Sequence, residues 1–144
     1  MTSQRMDLLA GQRRLVLVWL IGSTPAVILL LVRTFEPNAD AIEKVWSWLL
    51  PSLMPTLSLV VGTYAATALA ETSAQRTVDV LFFRVAVALS LAYLAIVTLA
   101  ILLYPLSPPP ATKTLERVGL VLGPVQGLVS ACLGVFFISN RPGT

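Results

Sequence analysis

Four long stretches of the sequence contain few charges and are separated by short segments rich in polar residues and proline. These stretches cover residues 15–32, 40–70, 80–104 and 117–138. A helix rises 1.5 Å per residue, and about 20 apolar residues are enough to cross a hydrocarbon layer of about 30 Å. The pattern therefore predicts an all-α, polytopic membrane protein. Residues 1–144 would form one domain, in which four transmembrane helices pack as a compact bundle.

Small residues recur at every fourth position in two of the predicted helices. Residues four apart lie on one face of a helix, and small residues on such a face let two helix backbones approach closely in lipid. We therefore expect both rows to pack against helices, and the row on the second helix to meet the row on the fourth. The row on the fourth helix consists of Gly119, Gly123, Gly127 and Ala131. The row on the second helix consists of Ser58, Gly62, Ala66 and Ala70.

The second predicted helix is interrupted by Pro51 and Pro55. Each proline lacks an N–H and leaves one backbone carbonyl without its helical donor. Neighbouring hydroxyl groups and residues on other helices are the usual replacements. We interpret one set of polar residues as hydrogen-bond partners between helices, with the lining of a pore as the alternative. That set consists of Gln126, Tyr64, Thr56 and Thr63.

Composition supports a membrane protein, because 56% of the residues are hydrophobic and only 12% are charged. Soluble domains are about one quarter charged. The net charge of +3 comes from Lys and Arg scattered at the ends of the apolar stretches. Such scattering is typical of helix anchoring, so we expect a lipid bilayer rather than nucleic acid as the partner.

The distribution of Lys and Arg predicts the orientation of the chain. With four spans, both termini lie on one side of the membrane, and that side carries six of the ten Lys and Arg. Arg13 and Arg14 directly precede the first helix, where basic residues have the most influence. The sequence therefore predicts a multi-pass protein of the inner or plasma membrane with both termini in the cytoplasm.

Residues suited to catalysis or metal binding are scarce. The chain has no histidine, its acidic residues lie in loops or at helix ends, and Cys132 is its only cysteine. We therefore expect no catalytic site, no cofactor and no metal, and we do not expect an enzyme. No motif in the sequence indicates a known family.

Two functional hypotheses follow from these patterns. The first is a non-catalytic, helix-packing membrane subunit or scaffold that assembles with itself or with another membrane protein. The second is an oligomeric channel or membrane-permeabilising pore, lined by the hydroxyl-rich second helix with its two prolines. Interrupted helices also form binding sites in transporters, but no charged residue lies in the predicted membrane core to bind a coupling ion.

Overall fold

The computed structural model describes residues 5–35, 39–69, 77–106 and 111–138, most of which belong to four long helices. All four helices are long and apolar enough to cross a membrane, which confirms the predicted all-helical framework. The helices are α1 (Leu8–Thr34), α2 (Ala39–Leu69), α3 (Val80–Leu103) and α4 (Ala111–Ile138). The shorter elements are strands β1 (Arg5–Asp7) and β2 (Thr77–Asp79) and a 3-10 helix (Tyr104–Leu106).

Two of the helices begin six or more residues earlier than the apolar stretches predicted. Helix α1 begins at Leu8 rather than at residue 15, because the Asp7 carboxylate accepts a hydrogen bond from the Leu9 N–H at 3.3 Å and caps the helix. Helix α4 begins at Ala111 rather than at residue 117. The predicted end of the second helix, Ala70, lies outside the described residues. Helical structure therefore continues beyond the apolar segments into polar sequence.

The two short strands show how the chain is oriented. Strands β1 and β2 pair antiparallel, with Asp7 opposite Thr77, and each leads directly into a helix. Helices α1 and α3 therefore begin at the same end of the bundle. Further along both helices, Trp19 contacts Ser90, so α1 and α3 run parallel. The chain thus forms two helical hairpins, α1–α2 and α3–α4, in which α1 packs on α3 and α2 packs on α4.

The two hairpins repeat one pattern of buried positions. In the first hairpin the repeated buried positions are Leu15, Trp19, Ala26 and Leu30 on α1, and Ile42, Leu49, Thr56 and Val60 on α2. Their counterparts at the same spacings are Ala86, Ser90, Val97 and Ile101 on α3, and Leu115, Leu122, Val129 and Leu133 on α4. Trp19 and Ser90 are such counterparts and are hydrogen-bonded to each other. Corresponding positions of the two hairpins therefore form the core of the bundle.

The outer surface of the bundle is largely apolar. A third or less of the apolar segment of each helix is buried inside the chain. Ile21, Val32 and Leu120 are 67%, 61% and 78% exposed. Soluble monomers rarely expose apolar surface on this scale, whereas hydrocarbon is a suitable environment for it. The four candidate spans and this surface suggest a multi-pass membrane protein.

Candidate functional site

The candidate site is a polar network where two prolines interrupt α2. Pro55 has no N–H, so the carbonyl of Pro51, four residues earlier, has no donor within its own helix. The side-chain amide of Gln126 on α4 donates a hydrogen bond to this carbonyl at 3.4 Å. A side chain of α4 therefore supplies the hydrogen-bond donor that the Pro51 carbonyl lacks within α2.

A second hydrogen bond reaches the same turn of α2 from α3. The Tyr93 hydroxyl donates to the carbonyl of Ser52 at 2.7 Å. Tyr93 is fully buried, and its ring centroid lies 5.9 Å from that of Trp19 on α1. The Trp19 indole N–H donates in turn to the Ser90 hydroxyl at 3.1 Å. A continuous set of buried polar and aromatic contacts thus connects α1 and α3 to the interrupted turn of α2.

Several hydroxyl groups of α2 bond to their own helix. Ser52 donates to the Trp48 carbonyl at 2.8 Å, and Thr63 donates to the carbonyls of Leu59 and Val60. Hydroxyls that bond one turn back are typical of bent helices and leave fewer free donors for a polar path. The described hydroxyl bonds of Ser52 and Thr63 therefore stay within α2 and do not link it to another helix.

The other residues of the predicted polar set have separate surroundings. Thr56 is fully buried, and its hydroxyl has no hydrogen-bond partner among the described residues. Tyr64 is half-buried and packs against the apolar core. The structure thus brings Gln126 to the prolines of α2 and gives Thr56, Thr63 and Tyr64 different environments.

The two rows of small residues do not pack on each other, so this expectation is wrong for a single chain. A Cβ atom built on Gly62, Gly123 or Gly127 would meet nothing within 4 Å. Among the glycines of the α4 row, Gly119 lies close to α2, since its Cβ would lie 3.2 Å from the indole nitrogen of Trp48. The remaining row members in the described part of the chain are also exposed, namely Ser58, Ala66 and Ala131. Beyond Gly119, helices α2 and α4 meet through other faces, which leaves the other described members of both rows on the outside.

Two structurally important positions were not predicted from the sequence. Gln12 is fully buried, and neither atom of its amide has a partner in the described part of the chain. It lies in a polar lead segment that the sequence placed before the first helix, although the N-cap residue Asp7 signalled an earlier start. Gly22 is the second position, because a Cβ there would lie 2.6 Å from Leu94 Cδ1. The absence of a side chain at Gly22 lets α1 approach α3.

Comparison with protein-family models, curated proteins and solved structures gives no match to this chain. Its class is therefore defined by architecture. The protein is a bundle of two parallel helical hairpins, each helix of which is long and apolar enough to cross a membrane.

Proposed function

We propose that this protein is an integral membrane subunit that performs no catalysis and assembles with further copies of itself through exposed helix faces. The observation that carries this proposal is the outward position of the α4 row. Gly123, Gly127 and Ala131 are exposed, and only 17% of the apolar segment of α4 is buried inside the chain. Small residues on a lipid-facing helix are the typical contact surface between membrane helices.

The polar network supports this role by holding the bundle in one shape. Gln126 and Tyr93 tie α4 and α3 to the interrupted turn of α2. Their side chains supply donors to α2, where the prolines weaken the helical ladder. A fixed arrangement of α2 and α4 keeps the outer faces preorganised for assembly, which lowers the entropy lost on association.

Membrane extraction and a count of copies test this proposal. We expect the protein to stay in the membrane fraction during alkaline carbonate washing and to require detergent for extraction. Single-molecule photobleaching in lipid nanodiscs should show more than one copy in each particle. A monodisperse chain in buffer without detergent would contradict the membrane assignment, and single copies at all protein-to-lipid ratios would contradict assembly.

The proposed orientation places both termini on the cytoplasmic side of the inner or plasma membrane. The parallel course of α1 and α3 supports an even number of crossings between their starts. Reporter domains fused to each terminus test this orientation, because a reporter that is active only in the cytoplasm should be active at both ends. Activity at only one end would overturn the four-span topology.

A pore lined by α2 is the second candidate. The buried hydroxyl of Thr56, which has no partner among the described residues, favours it because polar groups along a water path are satisfied by water. Ion flux in proteoliposomes that disappears on Thr56→Val or Gln126→Leu would support the pore. Liposomes that stay tight at high protein density would support the subunit without a conduction path.

A further inference from the structure

Two arginines lie at the same level of neighbouring helices, near the end of the bundle where α1 and α3 begin. Trp19 on α1 donates a hydrogen bond to Ser90 on α3, which fixes the relative height of these parallel helices. Arg14 lies five residues before Trp19, and Arg84 lies six residues before Ser90. The two arginines therefore differ in height by about 1.5 Å, the rise of one helical residue. Both side chains are exposed.

Both arginines lie on the outer side of the contact between α1 and α3. The contact of a Gly22 Cβ with Leu94 marks the line along which the two helices face each other. A helix turns by about 100° per residue, so Arg14, eight residues before Gly22, lies about 80° from that line. Arg84, ten residues before Leu94, lies about 80° from it in the opposite sense of rotation. Because the parallel helices face each other, these opposite rotations bring both arginines to one side. The buried Trp19 lies on the other side, inside the bundle.

The two guanidinium groups have no ion pair with a carboxylate in the described part of the chain. Asp7 and Asp79 are the acidic residues that precede them on the same two helices, about 7 to 10 Å away along the axes. Each of these carboxylates accepts a hydrogen bond from the first turn of its own helix. Two neighbouring guanidinium groups without acidic partners favour an anion that accepts hydrogen bonds from both, and phosphate oxygens suit this geometry.

An apolar surface continues from the arginines toward the middle of the helices. Ile21 and Leu91 each follow an arginine by seven residues, so they lie on the same helix faces and about 10 Å deeper. Their side chains are 67% and 51% exposed. Val18 and Val87 lie closer to the line of contact, where they are partly buried and pack against the core. The outer seam, as we define it, consists of Arg14, Val18 and Ile21 on α1 and Arg84, Val87 and Leu91 on α3.

We infer that the outer seam binds one anionic phospholipid, with its phosphate between Arg14 and Arg84 and an acyl chain along Ile21 and Leu91. This inference rests on the proposed membrane location and specifies a lipid partner in the leaflet where α1 and α3 begin. A phospholipid joins an anionic phosphate to an apolar chain, which is the order of the two surfaces along the seam. The seam belongs to α1 and α3, so a bound lipid leaves the α4 row open for assembly.

Native mass spectrometry of the full chain tests the inference. The chain is released from detergent micelles that contain equal amounts of phosphatidylglycerol and phosphatidylcholine. We expect the wild type to retain one phosphatidylglycerol in preference to phosphatidylcholine. Arg14→Gln and Arg84→Gln should each lower this retention about five-fold, the effect of one cation near an anionic surface. Retention that is unchanged in both variants would overturn the inference.

Arg13→Gln is the matched control for these variants. Arg13 is exposed at the same depth, but it lies nine residues before Gly22 and therefore points away from α3. At an ionic strength of about 0.15 M, charges more than about 8 Å apart are largely screened, so Arg13→Gln should change retention by less than about two-fold. A loss as large as that of Arg14→Gln would indicate attraction by the total charge and would overturn the seam as a site.

Glycerol 3-phosphate distinguishes a lipid from a soluble phosphate compound, because it carries the phosphate without acyl chains. We expect millimolar glycerol 3-phosphate to leave the retained phosphatidylglycerol in place. Displacement of the lipid by this compound would show that the arginines alone determine binding and would overturn the role of the apolar part of the seam.

Quenching of a fluorescent label by brominated lipids locates the acyl chain. In a Cys132→Ala background, the label is attached at Leu91→Cys in the seam or at Ala92→Cys, which is exposed at the same depth but points away from α1. In phosphatidylcholine bilayers, a small fraction of brominated phosphatidylglycerol should quench the seam label more strongly than the same fraction of brominated phosphatidylcholine. Both brominated lipids should quench the label at residue 92 alike. Arg14→Gln/Arg84→Gln should remove the difference at residue 91.

The outcomes separate the lipid site from the proposed function. A chain that stays in the aqueous fraction when liposomes are present would overturn the membrane location and the lipid site together. A chain that inserts into bilayers but shows equal quenching by the two brominated lipids at residue 91 would overturn only the lipid site.

Discussion

The Gln126 side chain donates its hydrogen bond to Pro51, whose carbonyl has no helical donor because residue 55 is also proline. This hydrogen bond joins α4 to α2 and supplies the donor that α2 lacks at this turn. Its 3.4 Å length places it near the weak end of hydrogen bonds. Its contribution to the free energy of unfolding is therefore measured by comparing Gln126 variants in chains with and without proline at residue 55.

We predict that Gln126→Leu lowers the free energy of unfolding by roughly 0.6 to 2 kcal/mol, the range for hydrogen bonds between membrane helices. Pro55→Ala restores an N–H that can bond to the Pro51 carbonyl within α2. The effect of Gln126→Leu should therefore be smaller in the Pro55→Ala background. Unfolding in mixed detergent micelles, followed by tryptophan emission, measures all four corners of this double-mutant cycle. An equal loss of stability on Gln126→Leu in both backgrounds would contradict the role of Gln126 as the donor that replaces the missing N–H of Pro55.

Tyr93→Phe should destabilise the bundle by about 1 kcal/mol, because it removes the 2.7 Å bond to Ser52 and keeps the ring. Tyr64→Phe is the matched control, since Tyr64 is only half-buried against the core. The same unfolding assay compares the two variants. A larger loss for Tyr64→Phe than for Tyr93→Phe would be inconsistent with the described network.

Ser90→Ala should cost about 1 to 3 kcal/mol, because the Trp19 indole N–H would be left buried without its acceptor. Ser58→Ala removes the same hydroxyl from an exposed position and should change stability by less than about 0.5 kcal/mol. Trp19 also reports directly on this bond, so its emission spectrum should shift in Ser90→Ala. An unchanged spectrum and unchanged stability would refute the buried Trp19–Ser90 contact.

Substitution at Gly22 should be destabilising, whereas substitution at Gly62 should not. A Cβ at Gly22 would lie 2.6 Å from Leu94 Cδ1, and Leu94 is buried. We expect Gly22→Leu to lower the free energy of unfolding by about 1 to 3 kcal/mol through overpacking, and Leu94→Ala to recover part of that loss.

Gly62→Ala provides the comparison for Gly22, because nothing lies within 4 Å of a Cβ at this position. We expect it to be neutral or to add up to about 1 kcal/mol, since alanine is the better helix former. If Leu94→Ala recovers no stability in the Gly22→Leu background, the close contact between α1 and α3 at Gly22 is contradicted.

Asp7→Ala should destabilise the start of α1 by about 1 kcal/mol, because it removes the oxygen that accepts the Leu9 N–H. Asp7→Asn keeps an accepting oxygen at the same place and should retain most of the stability. Hydrogen exchange at the first turn of α1 measures the effect locally. Equal exchange rates in the two variants would rule out the capping role.

The sequence predicted the helices well because their apolar length is a direct consequence of the thickness of a membrane. It predicted the start of α1 poorly because Gly11 and Gln12 are buried although they lie in a polar segment. A single capping residue, Asp7, outweighed the hydropathy pattern there. Hydropathy describes average surroundings, whereas a helix boundary depends on one hydrogen bond.

The candidate site was predicted in part. The residue types identified Gln126 as a polar residue and the prolines of α2 as a source of open backbone carbonyls. The structure joins the Gln126 amide to one of these carbonyls, that of Pro51. The rows beginning at Ser58 and Gly119 were assigned to a mutual contact that the structure does not contain. Spacing shows which residues share a helix face, but it does not show which way that face points. The hairpin repeat was also missed, because α1 and α3 share buried positions while having few identical residues.

The parallel course of the two hairpins bears on how such an architecture arises. A hairpin returns the chain to the side of the membrane from which it started, so an appended second hairpin enters in the same direction as the first. Duplication of one hairpin-coding segment therefore yields this topology without inverting any segment.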